Sequence, residues 1–221
     1  MDVRVVSYNV HGRRDDRAAL ASVVRDLQPD IVVVQEGPRG FRWRTRAATI
    51  AHGWGMYYAA GGVPSLGNLI LTTLRAHVDA AHCVRFPLTP GRHLRGAALV
   101  RVTVGGVNFV VAGSHLSTDD AERPGQARLF RAAVDEFAAG RPAVVAADLN
   151  DEPGSASWTI VGEGLTDTGD DRPTFPVASP RRRIDAIFTD PRIEVAAYDR
   201  PDTLAVRAAS DHFPLVVDLR L

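Results

Sequence analysis

The feature that most limits what this chain can become is a set of short apolar runs that each break off into a carboxylate, an amide or an imidazole. The clearest is Ala143-Val144-Val145-Ala146-Ala147-Asp148-Leu149-Asn150-Asp151. With the period-two geometry of a strand, Asp148 and Asn150 leave one face of the strand end while Leu149 turns back toward the core. Taken alone, such a segment is an ordinary strand stopping in an Asx turn. The same ending recurs along the chain, however. Residues 3–8 run into Asn9-Val10-His11-Gly12, residues 31–34 into Gln35-Glu36, and residues 107–113 into Ser114-His115-Leu116. Asp185 sits inside the strand-like run 183–188, and Ser210-Asp211-His212-Phe213-Pro214 opens into the run 215–219. One polar strand end is punctuation. Repeated ends carrying these three chemistries indicate one site gathered at the rim of a sheet structure, where rigid strands and variable loops make a cleft.

The order of patterns supports that frame. Leu20, Val23, Val24 and Leu27 stand at helical spacing in residues 16–27, which lie between the first two strands and predict a β-α-β unit. Residues 39–52 bring Arg39, Arg42, Arg44 and Arg46 around Phe41 and Trp43. They read equally well as the arginine-rich rim of a phosphate cleft or as the solvated face of a short helix. Strands follow at 56–59, 67–72, 76–85 and 96–104, and Gly105-Gly106 makes a two-residue hairpin into 107–111. Residues 124–139 predict a helix with Leu129, Phe130, Ala133, Val134 and Phe137 on its buried face, and the 143 strand comes next. Residues 167–179, poor in apolar side chains, are expected to be an exposed loop. Many strands with a few helices predict an α/β, four-layer sandwich: two mixed β-sheets packed face to face with helices outside. The whole of residues 1–221 is expected to be a single domain.

Charge narrows the partners. Acidic and basic residues balance at 26 each, so no global field draws the chain to nucleic acid or to an anionic membrane. Every basic residue is arginine, a bias that the abundant alanines attribute to composition rather than function. The one cysteine, Cys83, precludes an internal disulfide and reads as a buried structural thiol. With no signal-like segment and no bilayer-length apolar run, a cytoplasmic location is expected.

Asn9, Glu36, Asp148, Asn150 and Asp211 are oxygen donors, and no Cys or His pair stands at zinc spacing. Oxygen-only donor sets suit a hard cation, magnesium or alternatively manganese, with water and substrate phosphate completing its shell. Glu36 is the strongest ligand candidate, because a carboxylate at the end of Ile31-Val32-Val33-Val34 is costly unless solvated or paired with a cation. His212 adjoins Asp211, so the two side chains serve different groups. A working histidine needs its second nitrogen held by an acceptor, and Asp185 is preferred in that role over a structural pairing with Arg181, Arg182 or Arg183.

These stretches, Ser7-Tyr8-Asn9-Val10-His11-Gly12, Val34-Gln35-Glu36, Ser114-His115-Leu116, Ala147-Asp148-Leu149-Asn150, Arg183-Ile184-Asp185-Ala186-Ile187-Phe188 and Ser210-Asp211-His212-Phe213-Pro214-Leu215, together resemble the endonuclease/exonuclease/phosphatase superfamily of metal-dependent phosphohydrolases, to which pancreatic deoxyribonuclease belongs. The motifs stand in family order over nearly the whole chain. The resemblance implies the four-layer sandwich and a magnesium-dependent hydrolase of phosphoester bonds, with residues 1–221 as one catalytic domain. It implies that Glu36 binds the metal with Asn9 and Asp211 near it, and that Asp148 and Asn150 orient or deprotonate the attacking water. His212, paired with Asp185, would act on the phosphate in the transition state, and His115 would hold a phosphate oxygen. Asn68 and Arg95 would reach the substrate. His11 stands where nuclease members often carry Asn or Asp, and this favours a phosphodiesterase or phosphatase of small or lipid-linked substrates. A DNA or RNA nuclease is the alternative, and a catalytically silent binding module with the same fold is a third reading.

Overall fold

The computed structural model describes residues 2–221. The first half contains β1 (Asp2–Asn9), α1 (Arg17–Leu27), β2 (Ile31–Gln35), α2 (Trp43–Gly53), β3 (Tyr57–Gly61), β4 (Leu69–Thr72), β5 (His77–Arg85), β6 (Gly96–Val104) and β7 (Val107–His115). After these come α3 (Arg123–Ala138), β8 (Ala143–Asp148), α4 (Ala156–Gly162), β9 (Thr166–Asp167), β10 (Asp185–Thr189), β11 (Glu194–Asp199), α5 (Leu204–Ala209) and β12 (Leu215–Arg220). One sheet has the order β11-β12-β1-β2-β4-β3 and the other β5-β6-β7-β8-β10-β9. Both are mixed, since β1 runs parallel to β2 and β7 parallel to β8 while the other pairings are antiparallel.

Alternation along the strands sorts the side chains into three apolar layers. In β1, Val3 and Val5 point between the sheets, where they join Ile31, Val33, Ile70, Val100, Val102, Phe109, Val111 and Ile187. Val6 and Tyr8 of the same strand face outward onto Leu20, Val23 and Val24 of α1, Ile50 of α2 and Val206 of α5. On the far side Leu99, Val110 and Val145 meet Phe130 and Val134 of α3 with Trp158 and Val161 of α4. The result is helices, sheet, sheet, helices. The two sheets close tightly at Gly113, where a Cβ would stand 2.3 Å from Val33 Cγ1, so this strand position accepts no side chain without moving the facing sheet.

Local chemistry sets the element ends. Asp16 caps α1 by accepting from the amides of Ala18 and Ala19. Val104 pairs with Val107 across Gly105 and Gly106, both at positive φ, giving the expected tight hairpin. The helix expected at 124–139 spans Arg123–Ala138, but its buried face is Gln126, Ala127, Phe130, Val134 and Ala138. Leu129 is 43% exposed and points to solvent, one position off the stripe that packs on the sheet. The segment 167–179 is not simply an exposed loop. Thr174 and Val177 are buried, and Thr174 Oγ1 accepts hydrogen bonds from the amides of Ile184 and Asp185. Cys83 is half-buried, with its thiol pKa raised by burial.

Register places the polar strand ends together. His115 pairs with Asp148 across β7 and β8, and Asp148 pairs with Asp185 across β8 and β10, so three chemically active residues form a row at one rim. Asn9 closes β1 in the facing sheet.

Candidate active site

The row opens into a cavity of about 330 Å³ lined by Asn9, Glu36, Asn68, Arg95, His115, Asp148, Asn150, Asp211 and His212, with His11, Arg14, Arg39, His93, Thr118 and Phe175 completing the walls. Asp185 does not line it. It lies behind His212, and its carboxylate receives His212 Nδ1 at 2.9 Å to Oδ2 and 3.2 Å to Oδ1. Asp148 and Asp185 face each other directly across an antiparallel pair, and like charges so placed repel. Asp148 is only 1% exposed, so water offers little relief. The compensating charge comes from His212. Burial by itself would lower its pKa, but the charge and hydrogen bond of Asp185, followed by the charges of Asp148 and Asp211, raise it to about 10. His212 is therefore an imidazolium at neutral pH, and Ser210 Oγ, which accepts from the His212 amide and donates to the Asn9 carbonyl, fixes its backbone. Phe175 packs on the ring with centroids 4.7 Å apart.

Among the described residues the second His212 proton has no acceptor within hydrogen-bond range. Nε2 is 3.8 Å from Asp148 Oδ2 and 3.5 Å from the amide nitrogen of Asn9, itself a donor. That N–H is left for something in the cavity. Asp148 is held by three neighbours: Asn9 Nδ2 donates to it at 2.8 Å, the Asn150 amide donates at 2.9 Å, and His115 Nε2 lies 3.3 Å away. His115 behaves oppositely to His212. Burial lowers its pKa to about 3, against the raising effect of Asp148 and with Arg95, His212 and Arg39 adding to the fall. It is a neutral ring with one N–H to offer. Asn150 spends one amide proton on the Leu116 carbonyl, and Asn68 spends both on the carbonyls of Ser65 and Gly96, so Asn68 brings only its buried, unpartnered Oδ1 to the cavity. Burial lowers the Arg95 pKa, and Arg95 Nε is buried without a hydrogen-bond partner.

Across the cavity the balance is different. Glu36 makes no hydrogen bond or ion pair among the described residues, and it adopts φ +57, a left-handed conformation that a residue with a Cβ takes at a cost. Asp211 has a buried Oδ1 without a partner, while its Oδ2 lies 3.7 Å from His11 Nε2. Two carboxylates short of partners in the lining of one cavity, which Asn9 also lines, fit a hard divalent cation bound through oxygen. Asp148, Asp185 and His212 also bring one potential ligand atom each within 4.8 Å of one another. That cluster is already saturated by its internal proton and hydrogen bonds, so the Glu36 and Asp211 end suits a cation better.

The cavity walls also include residues to which the sequence pattern assigned no role. Arg14 stands just past the Asn9 motif, and Phe175 lies in the Thr174-Phe175-Pro176 segment ahead of β10.

The Endonuclease/Exonuclease/phosphatase family model matches residues 6–212. The chain belongs to that family. It is 30% identical over 142 residues to the uncharacterized protein YbhP of Escherichia coli strain K12, an alignment covering 59% of this chain and 54% of that one. The chain thus spans about half the length of the curated relatives it matches. Among solved structures it is similar to the mannosyl-6-phosphatase Bt3783 of Bacteroides thetaiotaomicron, with TM-score 0.82, 19% identity and coverage of 99% of this chain and 100% of that one. It is also similar to D. rerio TDP2 complexed with single-strand DNA product, with TM-score 0.77, 19% identity and coverage of 100% and 99%. At such identities the two structures share the sandwich with this chain. Among the described residues no helix is long and apolar enough to cross a membrane.

Proposed function

We propose that this protein, with residues 1–221 acting as one catalytic unit, is a metal-dependent phosphodiesterase or phosphatase that hydrolyses small or lipid-linked phosphoesters by direct water attack. The observation that carries the reading is the pairing of an imidazolium with a free N–H, His212, with two under-partnered carboxylates, Glu36 and Asp211, in one confined cavity. A phosphoryl group needs both: donors for its nonbridging oxygens and a cationic counter-charge opposite them. Glu36 and Asp211, with Asn9 near, would hold magnesium or manganese, which would neutralise phosphate charge and stabilise the leaving oxygen.

The chain's own residues supply the rest. Asp148, anchored by Asn9 Nδ2, the Asn150 backbone amide and His115 Nε2, would orient the attacking water and accept its proton, and Asn150 keeps a second amide proton for a phosphate oxygen. His212 donates from Nε2 to a phosphate oxygen as charge builds, and Asp185 holds the ring in the orientation that allows it. Arg95, with its unpartnered Nε, steadies the ground-state phosphate. Among the described residues no serine or cysteine lines the cavity, and direct attack by water needs no covalent intermediate.

Both similar structures share the fold, one named a mannosyl-6-phosphatase and one holding a DNA product, so the fold does not choose between small substrates and nucleic acid. Zero net charge and a cavity of about 330 Å³ favour the small substrate. The test is turnover of 4-nitrophenyl phosphate, bis(4-nitrophenyl) phosphate and plasmid DNA, each with magnesium and with EDTA. One of the nitrophenyl esters is expected to outrun plasmid nicking, with EDTA abolishing turnover and rising salt reducing it only modestly. Efficient nicking with a steep inverse dependence on salt would instead establish a nuclease.

A further inference from the structure

Beside the cavity lies a second, larger cleft of about 570 Å³, and the two share Arg14, Glu36 and Arg39 as a common wall. Arg13, Arg17 and Arg46 also line it, and among the described residues Glu36 is the only carboxylate in its lining. None of these five arginines forms an ion pair among the described residues. Arginines elsewhere do: Arg183 with Asp167, Arg207 with Asp202, Arg4 with Asp218. The nearby acids are committed elsewhere, Asp15 to His11 and Asp16 to the cap of α1. Burial and then the charges of Arg17 and Arg46 lower the Arg13 pKa, the signature of cations crowded without a counter-ion.

The backbone is bent beside this cleft. His11, Gly12 and Arg13 all take left-handed conformations, at φ +45, +60 and +60, and Arg13 and Arg14, at and just after the end of this turn, line the same cleft as Arg39 and Arg46. Gly12 lies in the same lining, where a Cβ would stand in ordinary contact at 3.5 Å from Arg14 Nε and 3.7 Å from Glu36 Oε2 and would be disfavoured by the φ of +60. Should Glu36 be engaged by a cation, the cleft would have no negative charge of its own at all.

From this we infer that the cleft is a subsite for a second phosphate, and that the preferred substrate is a small molecule carrying one phosphate beside the scissile phosphoester. The inference rests on the phosphoester reading of the adjoining cavity and specifies its substrate class. Guanidinium forks are suited to phosphate oxygens, and a cluster without carboxylate partners gains most from an anionic ligand. The asymmetry of the rim argues against a polynucleotide. The segments that follow the other wall carry arginines already neutralised, Arg92 by Asp119, Arg123 by Asp151 and Arg182 by Glu152. A strand threading the site would need phosphate contacts on both sides of the scissile bond, whereas on that wall Arg92, Arg123 and Arg182 are already paired and Arg95 lines the cavity of the scissile phosphate itself.

The experiment compares 1,3-propanediol bisphosphate with 1,3-propanediol monophosphate. Binding is read by calorimetry in EDTA, apart from turnover, and hydrolysis by phosphate release with magnesium. The wild-type chain is expected to bind the bisphosphate about tenfold or more tightly than the monophosphate, and the Arg13→Ala/Arg46→Ala double variant to bring that ratio close to one. Arg46→Ala alone, at an exposed position on α2, is expected to lower the ratio partway and guards against misfolding of the double variant. Equal binding of the two probes by the wild type, or a ratio unchanged in both variants, overturns the subsite. Tighter binding of a single-stranded oligonucleotide than of the bisphosphate, with steep salt dependence, also overturns it in favour of a strand-binding groove. A binding preference that obeys these expectations with no hydrolysis of either probe counts against the hydrolase reading and leaves the subsite standing.

Discussion

The two ends of the cavity are built on opposite principles. At the His212 end Asp185, Asp148, Asn9 and His115 are buried and joined to one another, and the one free donor is a single N–H. At the Glu36 end the carboxylates are short of partners, the backbone is held at positive φ, and the neighbouring arginines are unpaired. A saturated network in a low-dielectric setting fixes positions and proton locations before any ligand arrives. An unsaturated one costs the fold something and is repaid by an external charge. On the proposed reading, the difference means that one set of residues holds a proton and the other receives ions. Each prediction below presses on one end and asks whether the other responds.

The largest effect is expected at the saturated end. Asp185→Asn and His212→Ala should each slow hydrolysis by about a hundredfold or more, in the range usual for a positioned acid or base. The double variant should be little worse than the poorer single, because the two residues act as one unit. Rates that simply multiply would show that the pair is not one unit and that the division between the ends is drawn wrongly.

At the unsaturated end, Glu36→Gln should remove most of the activity, a loss of about tenfold or more, while raising the magnesium concentration needed for half-maximal rate. The thermal melting temperature should hold or rise, since the substitution relieves an unpartnered charge. Unaltered rate and magnesium dependence would make Glu36 a loop acid and remove the cation-receiving role from that end.

The smallest effect is in stability, and it separates the two histidines. His212 has its folded pKa raised from an unfolded value near 6.5 to about 10, so its contribution is full below about pH 6.5 and is lost as pH climbs toward 10. His115, neutral in the fold with a pKa lowered to about 3, acts in the other direction, and its contribution is lost as pH falls from about 6.5 toward 3. Denaturant midpoints are therefore expected to fall on both sides of about pH 6.5. Asp185→Asn should flatten the alkaline limb and His115→Gln the acidic limb, each leaving the other in place. A variant that alters both limbs would mean that the two rings titrate as one group.

The sequence by itself determined the layers and the family. Strand alternation in residues such as Val3, Val5 and Tyr8 depends only on local geometry, and the ordered motifs from Ser7 to Leu215 are carried in the primary structure. Asn9, Asp148, Asp211 and His212 stood out because a polar residue at the end of an apolar run is legible without knowing its neighbours. What pattern could not decide were matters of packing. The face of α3 turned Leu129 outward because the angle of a helix on its sheet is set by both surfaces, and the loop at 167–179 buried Thr174 to satisfy the amides ahead of β10. The short helices α4 and α5, of seven and six residues, carry too few turns for helical periodicity to announce them. The arginines at 39–46 were equally readable as rim or solvated helix face. Only the tertiary fold, which brings Arg13 and Arg14 past the left-handed turn at 11–13 into the same lining, made Arg39 and Arg46 part of one cleft. The opposite charge states of His115 and His212 likewise belong to the tertiary structure, because a pKa depends on burial and on distances to charges far away in sequence.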